Sequence, residues 1–488
     1  MVYFFDSAME SARSQRRPRG SEPFDVILFF LVLVAGVARS SEAQAAGRIT
    51  KGPWVQRVTK DSAIVRVEVD PPAPVTVEWS SPDADGGQRM AESAEVRSLH
   101  AVTLSGLAPA TRYSYAVRTG TASKPATFVT APRDDGDAPF RFLAYGDNRS
   151  DEAAHAAVVR AMAKAPSDFL VHTGDFVEDG SNPVQWQTFF DIEAPLLGAR
   201  CLFSAVGNHE LTDGAGIEYA RFFGPTDLPS NVDKGRGKNA PAATRPEHFD
   251  GTFRWGNARF FFINGMVSYR GTVDRSWLEN ALTAADQEEN LKWRVVVVHH
   301  GPWSSGPHGG NARFQDASIV PLLTAHKVDL VLAGHDHIYE RGFAEGLAYV
   351  VTGGGGAPLY KIKKPSPTAK KLESVRHFVD VSVNATSLQL APTRLDGSVI
   401  ERCALVKNTS GWDCDVAPTP SSSPGNDAQT PSSRCSCDVV GRAPAVRGGE
   451  IAVTALAASV LRRRVRRRSH HGLHRHGRQA TESTERRA

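Results

Sequence analysis

The sequence predicts a chain in two folded parts, a small all-β sandwich followed by an α/β domain that carries its chemistry at strand ends. Three observations predict it. At 488 residues the chain exceeds one ordinary domain. Between about residues 49 and 130, apolar and polar residues alternate at period two, and Pro, Gly and Asp clusters separate the runs. From Phe140 onward, short β-branched and aromatic runs alternate with helical ones, which implies a largely parallel or mixed sheet covered on both faces.

Taken in order, the chain opens with Arg13, Arg16, Arg17 and Arg19, then the apolar run Val26–Ala38 and the small-residue site Ala43-Gln44-Ala45. Residues 1–45 therefore read as a secretory signal, and the product as exported: secreted, periplasmic or held at the cell surface. The apolar run is shorter than the roughly 20 residues that span a bilayer. An uncleaved anchor is the alternative. Residues 46–132 form the sandwich, with strands over Ala63–Val69, Val75–Trp79 and Tyr113–Val117. They show no chemistry, so this part is either a structural spacer or a module at the substrate rim. Residues 140–402 form the α/β domain. Strands are expected at Phe140–Tyr145, Asp168–Val171, Arg259–Ile263, Arg294–Val298, Val328–Leu332 and Ala348–Val351. A helix is expected at Glu152–Lys164, with Val158, Val159 and Met162 on one face. The stretches Asn182–Pro195 and Pro225–Pro246 read as loops that set specificity.

Residues 417–433, rich in Pro, Ser and Thr, read as a linker. Residues 434–488 form a basic tail. Its order of Cys435 and Cys437, a weakly apolar stretch Ile451–Leu461 and the arginines 462–468 resembles a C-terminal surface-sorting signal, and implies attachment to an envelope or surface. A plain solvated tail is the equal alternative. The tail has 13 arginines against four acidic residues, a surplus of nine, whereas the net charge of the whole chain is only +4. The body is therefore acidic, and nothing in it suggests nucleic-acid binding. Five cysteines are too few for a disulfide-built scaffold. Cys201 reads as a buried thiol. Cys403 and Cys414 are eleven residues apart and can pair in an exported protein.

The informative residues follow the hydrophobic runs. They are Gly146-Asp147-Asn148-Arg149, Gly174-Asp175-Phe176-Val177-Glu178, Gly207-Asn208-His209-Glu210, His299-His300-Gly301-Pro302-Trp303 and Gly334-His335-Asp336-His337. Ligands of α/β sheets gather at the loops after the strands. Five polar, metal-binding residue sets in succession, aimed at one edge of a sheet, are hard to explain by packing. Carboxylates brought together repel and raise each other's pKa unless cations lie between them. Oxygen and imidazole donors without thiolate suit iron, manganese or zinc.

In combination these motifs resemble the calcineurin-like metallophosphoesterases. His300-Gly301-Pro302-Trp303 and His335-Asp336-His337-Ile338-Tyr339-Glu340-Arg341 look most like purple acid phosphatases. The turn Leu107–Tyr113 resembles one in fibronectin type III modules. The resemblance spans residues 48 to 402 and implies a fibronectin III-like sandwich followed by a four-layer αββα domain with two metal ions. It implies that Asp175 bridges them, that Asp147 and His337 bind the first, and that Asn208, His300 and His335 bind the second. His209 would meet the substrate phosphate as donor or leaving-group acid. His299 would point away from the site. Small phosphorylated molecules would be the substrates, and phosphate monoesters the main class. Phosphodiesters, or binding without catalysis, are the alternatives.

Two positions depart from the family. Arg149 stands where many relatives have a His, two residues after the first Asp. Glu178 stands where purple acid phosphatases have the Tyr that colours them, so a colourless protein is expected. Either three protein ligands and water then hold the first metal, or Glu178 substitutes as an oxygen ligand. Arg149 reads either as a fork for a phosphate oxygen or as a salt-bridge partner of Asp151 or Asp179.

Overall fold

The computed structural model describes residues 47–83, 87–212, 216–224, 249–265, 273–316, 318–362 and 364–414. The expected signal, linker and basic tail, and the stretch Pro225–Pro246, lie outside them.

The first strands, β1 (Arg48–Gln56), β2 (Ser62–Ser80), β3 (Arg89–Ser105), β4 (Arg112–Thr119) and β5 (Ala122–Val129), form an antiparallel set in the order β1-β2-β4-β5, with β3 also on β2. The runs Ala63–Val69 and Val75–Trp79 belong to one long strand, whose register slips between Glu68 and Ala73. Pro71 and Pro72 lie at that slip and supply no ladder N–H. Before the slip, β2 pairs with β1 and the end of β3. After it, β2 pairs with the start of β3 and with β4. The exchange of partners lets Val65, Val67, Val75, Val77, Tyr115 and Val117 share one core. The Ala108 amide donates to the Tyr113 hydroxyl at 2.9 Å, which closes the turn before β4.

The remaining elements are β6 (Phe140–Tyr145), α1 (Glu152–Met162), β7 (Phe169–His172), α2 (Pro183–Leu197), β8 (Cys201–Ser204), α3 (Ile217–Phe223), β9 (Gly251–Trp255), β10 (Ala258–Ile263), α4 (Arg275–Asp286), β11 (Trp293–Val298), α5 (Ala312–Asp316), α6 (Ile319–Ala325), β12 (Leu330–Ala333), β13 (Tyr339–Ala344), β14 (Leu347–Thr352), β15 (Ala369–Glu373), β16 (His377–Val383), β17 (Ser387–Arg394) and β18 (Cys403–Val406). They build two sheets, as a four-layer αββα domain has, so the ligand loops come from two sheets and not from one edge of a single sheet. One runs β18-β17-β16-β6-β7-β8, the other β15-β13-β14-β12-β11-β10-β9. Strands such as β11 are buried on both faces, so their runs are uniformly apolar and do not say which sheet they join. Between the sheets, Phe142 stacks on Phe169 at 5.2 Å and meets Phe260 of the other sheet edge-on at 5.3 Å.

Helices close the outer faces. Val158, Val159 and Met162 of α1 pack with Leu143, Tyr145 and Leu170 of the six-stranded sheet. Leu278 and Leu282 of α4 and Leu323 of α6 pack on Val296, Val298 and Val331 of the seven-stranded sheet. The layers are thus helix, sheet, sheet, helix. Asp151 caps α1 through the Ala154 amide at 3.0 Å.

Asn182–Pro195 is helical, not a loop. The Asn182 side chain accepts from Val184 at 3.0 Å, Pro183 opens α2, and Trp186, Phe189 and Phe190 recur at helical spacing on its buried face. Pro195 falls in the last turn. The N-terminal strands pack against this region. Trp54 lies 4.7 Å from Phe190, and Arg66 donates to the carbonyls of Arg221 at 2.7 Å and Gly224 at 3.0 Å. Cys403 and Cys414 form a disulfide, and Cys201 is a buried free thiol.

Candidate metal centre

Three loops of the six-stranded sheet bring oxygen donors. Asp147 follows β6, Asp175 follows β7 and Asn208 follows β8. Asp147 and Asp175 adopt left-handed φ of 57° and 61°, an uncommon conformation for such residues, and both are fully buried. Gly207 has to be glycine, because a β-carbon there would overlap the Asp175 carboxylate. Backbone N–H groups hold the carboxylates. His335 N donates to both oxygens of Asp147 at 3.0 Å, and His209 N donates to Asp175 Oδ1 at 3.1 Å.

Two loops of the seven-stranded sheet bring nitrogen donors. His299 and His300 follow β11, and His335 and His337 follow β12. Here the structure corrects the sequence reading. His299, expected to point away, is central: its Nε2 lies 3.2 Å from Asn208 Oδ1, 3.3 Å from Asp175 Oδ1 and 3.2 Å from His335 Nδ1. His300, expected as the ligand, turns its Nε2 to the Gly309 carbonyl at 3.0 Å and lies beside His335, ring centroids 4.4 Å apart. Strand parity explains the exchange. Val295 and Val297 face the core between the sheets, whereas Val296 and Val298 face the helices. His299 continues the first set and reaches the opposite sheet's carboxylates; His300 continues the second.

Two of the imidazoles are oriented through their other nitrogen. His299 Nδ1 donates to the Thr173 carbonyl at 2.9 Å, and His337 Nδ1 to the Pro358 carbonyl at 2.7 Å. His337 also stacks on Tyr360 at 4.0 Å, and its Nε2 lies 3.6 Å from Asp147 Oδ1. Such partners fix which nitrogen is free to ligate.

The electrostatics describe a site short of positive charge. Burial, opposed by the charge of His299, leaves the Asp147 carboxyl raised to about 8. Burial also works against ionisation of Asp175, but the charge of His299 beside it and its hydrogen bond hold that carboxyl well below the usual range. His299 resists burial's downward push because Asp175 and Asp147 face it, and it is raised to about 9. Burial and the charge of His299 lower His335 to about 2, and burial lowers His337 to about 4. His299 thus carries the proton that lets three donors stay close. A cation would do the same, and would leave every imidazole neutral as ligation needs.

The donor set fits a cation at Asp175 Oδ1, Asn208, His299 and His335. Spacings of 3.2–3.3 Å around His299 Nε2 match the edges of about 3.0–3.4 Å that bonds of ~2.1 Å require. Two of the donors assigned to the other cation, Asp175 Oδ2 and His337 Nε2, face Arg149 instead. Its Nε donates to Asp175 Oδ2 at 3.0 Å, its Nη1 to Glu178 at 2.6 Å and to Ser150 Oγ at 3.1 Å, and its Nη2 lies 3.5 Å from His337 Nε2. The salt bridges are therefore with Asp175 and Glu178, not with the expected Asp151 or Asp179. Charges adjacent to the loop, not charges adjacent in sequence, decide the pairing.

His209 is half-buried at the mouth, with Nδ1 donating to the Glu178 carbonyl at 2.6 Å and Nε2 3.9 Å from Asp175 Oδ2. Sequence reasoning gave no role to Glu210. It is fully buried and accepts from the amides of Asp175 at 2.9 Å, Phe176 at 2.8 Å and Gly207 at 2.8 Å, so it ties two ligand loops together. The signal was an acid directly after an Asn-His pair. Asp336 was likewise missed; it holds His308 Nδ1 at 2.9 Å on the rim. The Gly353–Gly356 run lies beneath the first ligand loop, with Gly355 N donating to Gly146 O at 2.9 Å and Ala357 N to Asp147 O at 2.7 Å.

Residues 140–339, from β6 to the start of β13, match the family described as calcineurin-like phosphoesterase. The chain carries a calcineurin-like metallophosphoesterase domain. Purple acid phosphatases are among its homologues. It is similar to purple acid phosphatase 5 of Arabidopsis thaliana, 24% identical over 268 residues, which cover 54% of this chain and 59% of that protein. The chain thus matches about six-tenths of that relative's length. Among solved structures, a purple acid phosphatase from yellow lupin (Lupinus luteus) seeds has a TM-score of 0.59 at 17% identity, over 72% of this chain and 74% of that one. The structure of PhoD has a TM-score of 0.58 at 15% identity, over 77% and 93%. At these identities the solved structures speak for the fold of the metallophosphoesterase domain.

Proposed function

We propose that this chain is an exported phosphoric ester hydrolase that acts on phosphate monoesters. The observation that carries the reading is the meeting of Asp175, Asn208, His299 and His335 from two sheets at one buried point, with Asp147 and His337 beside them. Iron, manganese or zinc suits this set. A cation bound there would supply Lewis-acid chemistry: it would polarise the phosphoryl group and lower the pKa of water.

The chain's own residues do the rest. Asp175, fixed by the His209 amide and the Arg149 side chain, keeps the donors in register. The Nδ1 bond of His209 to Glu178 O leaves Nε2 as the nitrogen that faces the mouth. Protonated, it would donate to a phosphate oxygen or to the leaving group. Arg149, 13% exposed, would offer Nη2 to an equatorial oxygen that gains charge in the transition state. Among the motifs read in the sequence there is no Ser or Cys nucleophile signature, so no covalent phospho-enzyme is invoked.

Two structural points support the setting. The Cys403–Cys414 disulfide suits an oxidising compartment outside the cytoplasm. The partner exchange of β2 and the Tyr113 corner support a fibronectin III-like reading of β1–β5, which here backs α2 and α3. Surface attachment through the basic tail remains part of the proposal. Hydrolysis of phosphodiesters would use the same donors and is the competing specificity.

The test is hydrolysis of p-nitrophenyl phosphate beside bis-p-nitrophenyl phosphate, by protein loaded with manganese, zinc or iron, with Asp175→Asn as control. Monoester turnover that vanishes in the control is expected. A diester preference would replace the substrate class. No turnover with any metal, by folded protein, would overturn the reading.

A further inference from the structure

We infer that the Arg149 guanidinium takes the place of one of the two cations the family resemblance implies, so that the centre binds one metal ion per chain. The inference rests on reading this cluster as a cation-binding phosphoesterase site.

Asp175 shows the division. Its Oδ1 faces His299 at 3.3 Å, and its Oδ2 faces Arg149 Nε at 3.0 Å. A bridging carboxylate would give one oxygen to each cation; here one oxygen meets the imidazole cluster and the other meets a guanidinium. The second donor of the vacated role, His337 Nε2, lies 3.5 Å from Arg149 Nη2. A cation about 2.1 Å from both Oδ2 and Nε2 would have to share the space of those guanidinium nitrogens. Glu178, the residue best placed to compensate as an oxygen ligand, is already engaged by Arg149 Nη1 at 2.6 Å, and Ser150 Oγ also donates to it.

Charge gives the same answer. Ionised, as cation binding requires, the carboxylates of Asp147, Asp175 and Glu178 sum to three negative charges around the cluster. One divalent cation and one guanidinium balance them. Two divalent cations and the guanidinium would leave two uncompensated positive charges in a buried site, where like charges repel strongly. Arginine does not escape this by losing its proton. Only Nη2 of the guanidinium lacks a carboxylate or hydroxyl partner, so the substitution leaves one contact for a phosphate oxygen while removing a metal.

The experiment counts metal. Chelator-stripped protein is loaded with excess manganese and desalted, and bound manganese per chain is measured by mass spectrometry and by electron paramagnetic resonance. The expected result is one ion per chain with the six-line signal of isolated manganese(II). Arg149→Lys, which keeps the charge, should still bind one. Arg149→His, which removes the standing charge and adds a ligand, should bind two and show an exchange-coupled signal. Two ions, or none, in the unaltered protein would overturn the inference, whether or not the variants fold. So would a folded Arg149→His protein that still binds one. Turnover of p-nitrophenyl phosphate on the same samples separates the two claims. Activity with two ions sinks only the stoichiometry, and one ion without activity sinks only the function.

Discussion

The two sheets of the metallophosphoesterase domain contribute different chemistry to one site. The six-stranded sheet supplies oxygen: Asp147, Asp175 and Asn208. The seven-stranded sheet supplies nitrogen: His299, His335 and His337. The oxygen half is charged and strained, with two left-handed aspartates buried against each other's field. Burial keeps His335 and His337 on the nitrogen half neutral, and His299 alone is pushed to hold a proton. Neither half is a site alone. What joins them is the aromatic core between the sheets, where Phe142, Phe169 and Phe260 meet. The cluster is therefore a property of sheet packing, and a cation bound by it would lie at the seam between unlike donor sets.

The sharpest way to break this comparison is within one dipeptide of the nitrogen half. His299→Ala should lower cation affinity by more than about 100-fold, beyond what loss of an outer partner costs. His300→Ala, which loses a bond to Gly309 O, should change it only a few-fold. Calorimetric titration with manganese reads both, and equal losses would show that parity along β11 does not decide the ligand.

The oxygen half is tested through Glu210. Its carboxylate collects three amides from the Asp175 and Gly207 loops. Glu210→Gln would turn an amide N–H₂ toward those donors. Cation affinity should fall about 10–100-fold, and stability by roughly 1–3 kcal/mol. Thermal melts with and without manganese measure both, and an unchanged affinity would mean that the loops hold themselves.

A smaller effect concerns a carboxylate outside the centre, at the entry to β9. Burial raises Asp250 to about 7, opposed by the Asn264 amide that donates to it at 2.7 Å. Its folded pKa lies above the unfolded value, so the folded chain keeps a proton that the unfolded chain releases. This group's contribution is therefore most favourable below about pH 4 and is lost as pH rises toward 7. Asp250→Asn should shrink the fall in melting temperature between pH 5 and pH 7.5. An identical slope in the variant would contradict that assignment.

Much of this was legible in the sequence, because strand ends announce themselves. Phe140–Tyr145 is the strand its residues predict, and the motifs after β6, β7, β8, β11 and β12 mark where the site lies. The α1 face of Val158, Val159 and Met162 follows from spacing alone. Three things were not legible. A run such as Val295–Val298, buried on both sides, has no polar face to say which sheet or layer it serves. His299 and His300 differ only in parity, and parity means little until the core side is known. Asn182–Pro195 looks like a loop because of its prolines, although Asn182 and Pro183 are helix-starting residues; Pro195 lies inside the helix, where packing of Trp186, Phe189 and Phe190 outweighs its missing N–H.

The central claim is that a cation held at this seam hydrolyses phosphate esters. The most direct test follows p-nitrophenyl phosphate turnover while manganese is titrated into chelator-stripped, folded protein. The account predicts no turnover at the start and a rise that saturates as the site fills. Turnover by the stripped protein that manganese does not change would contradict it.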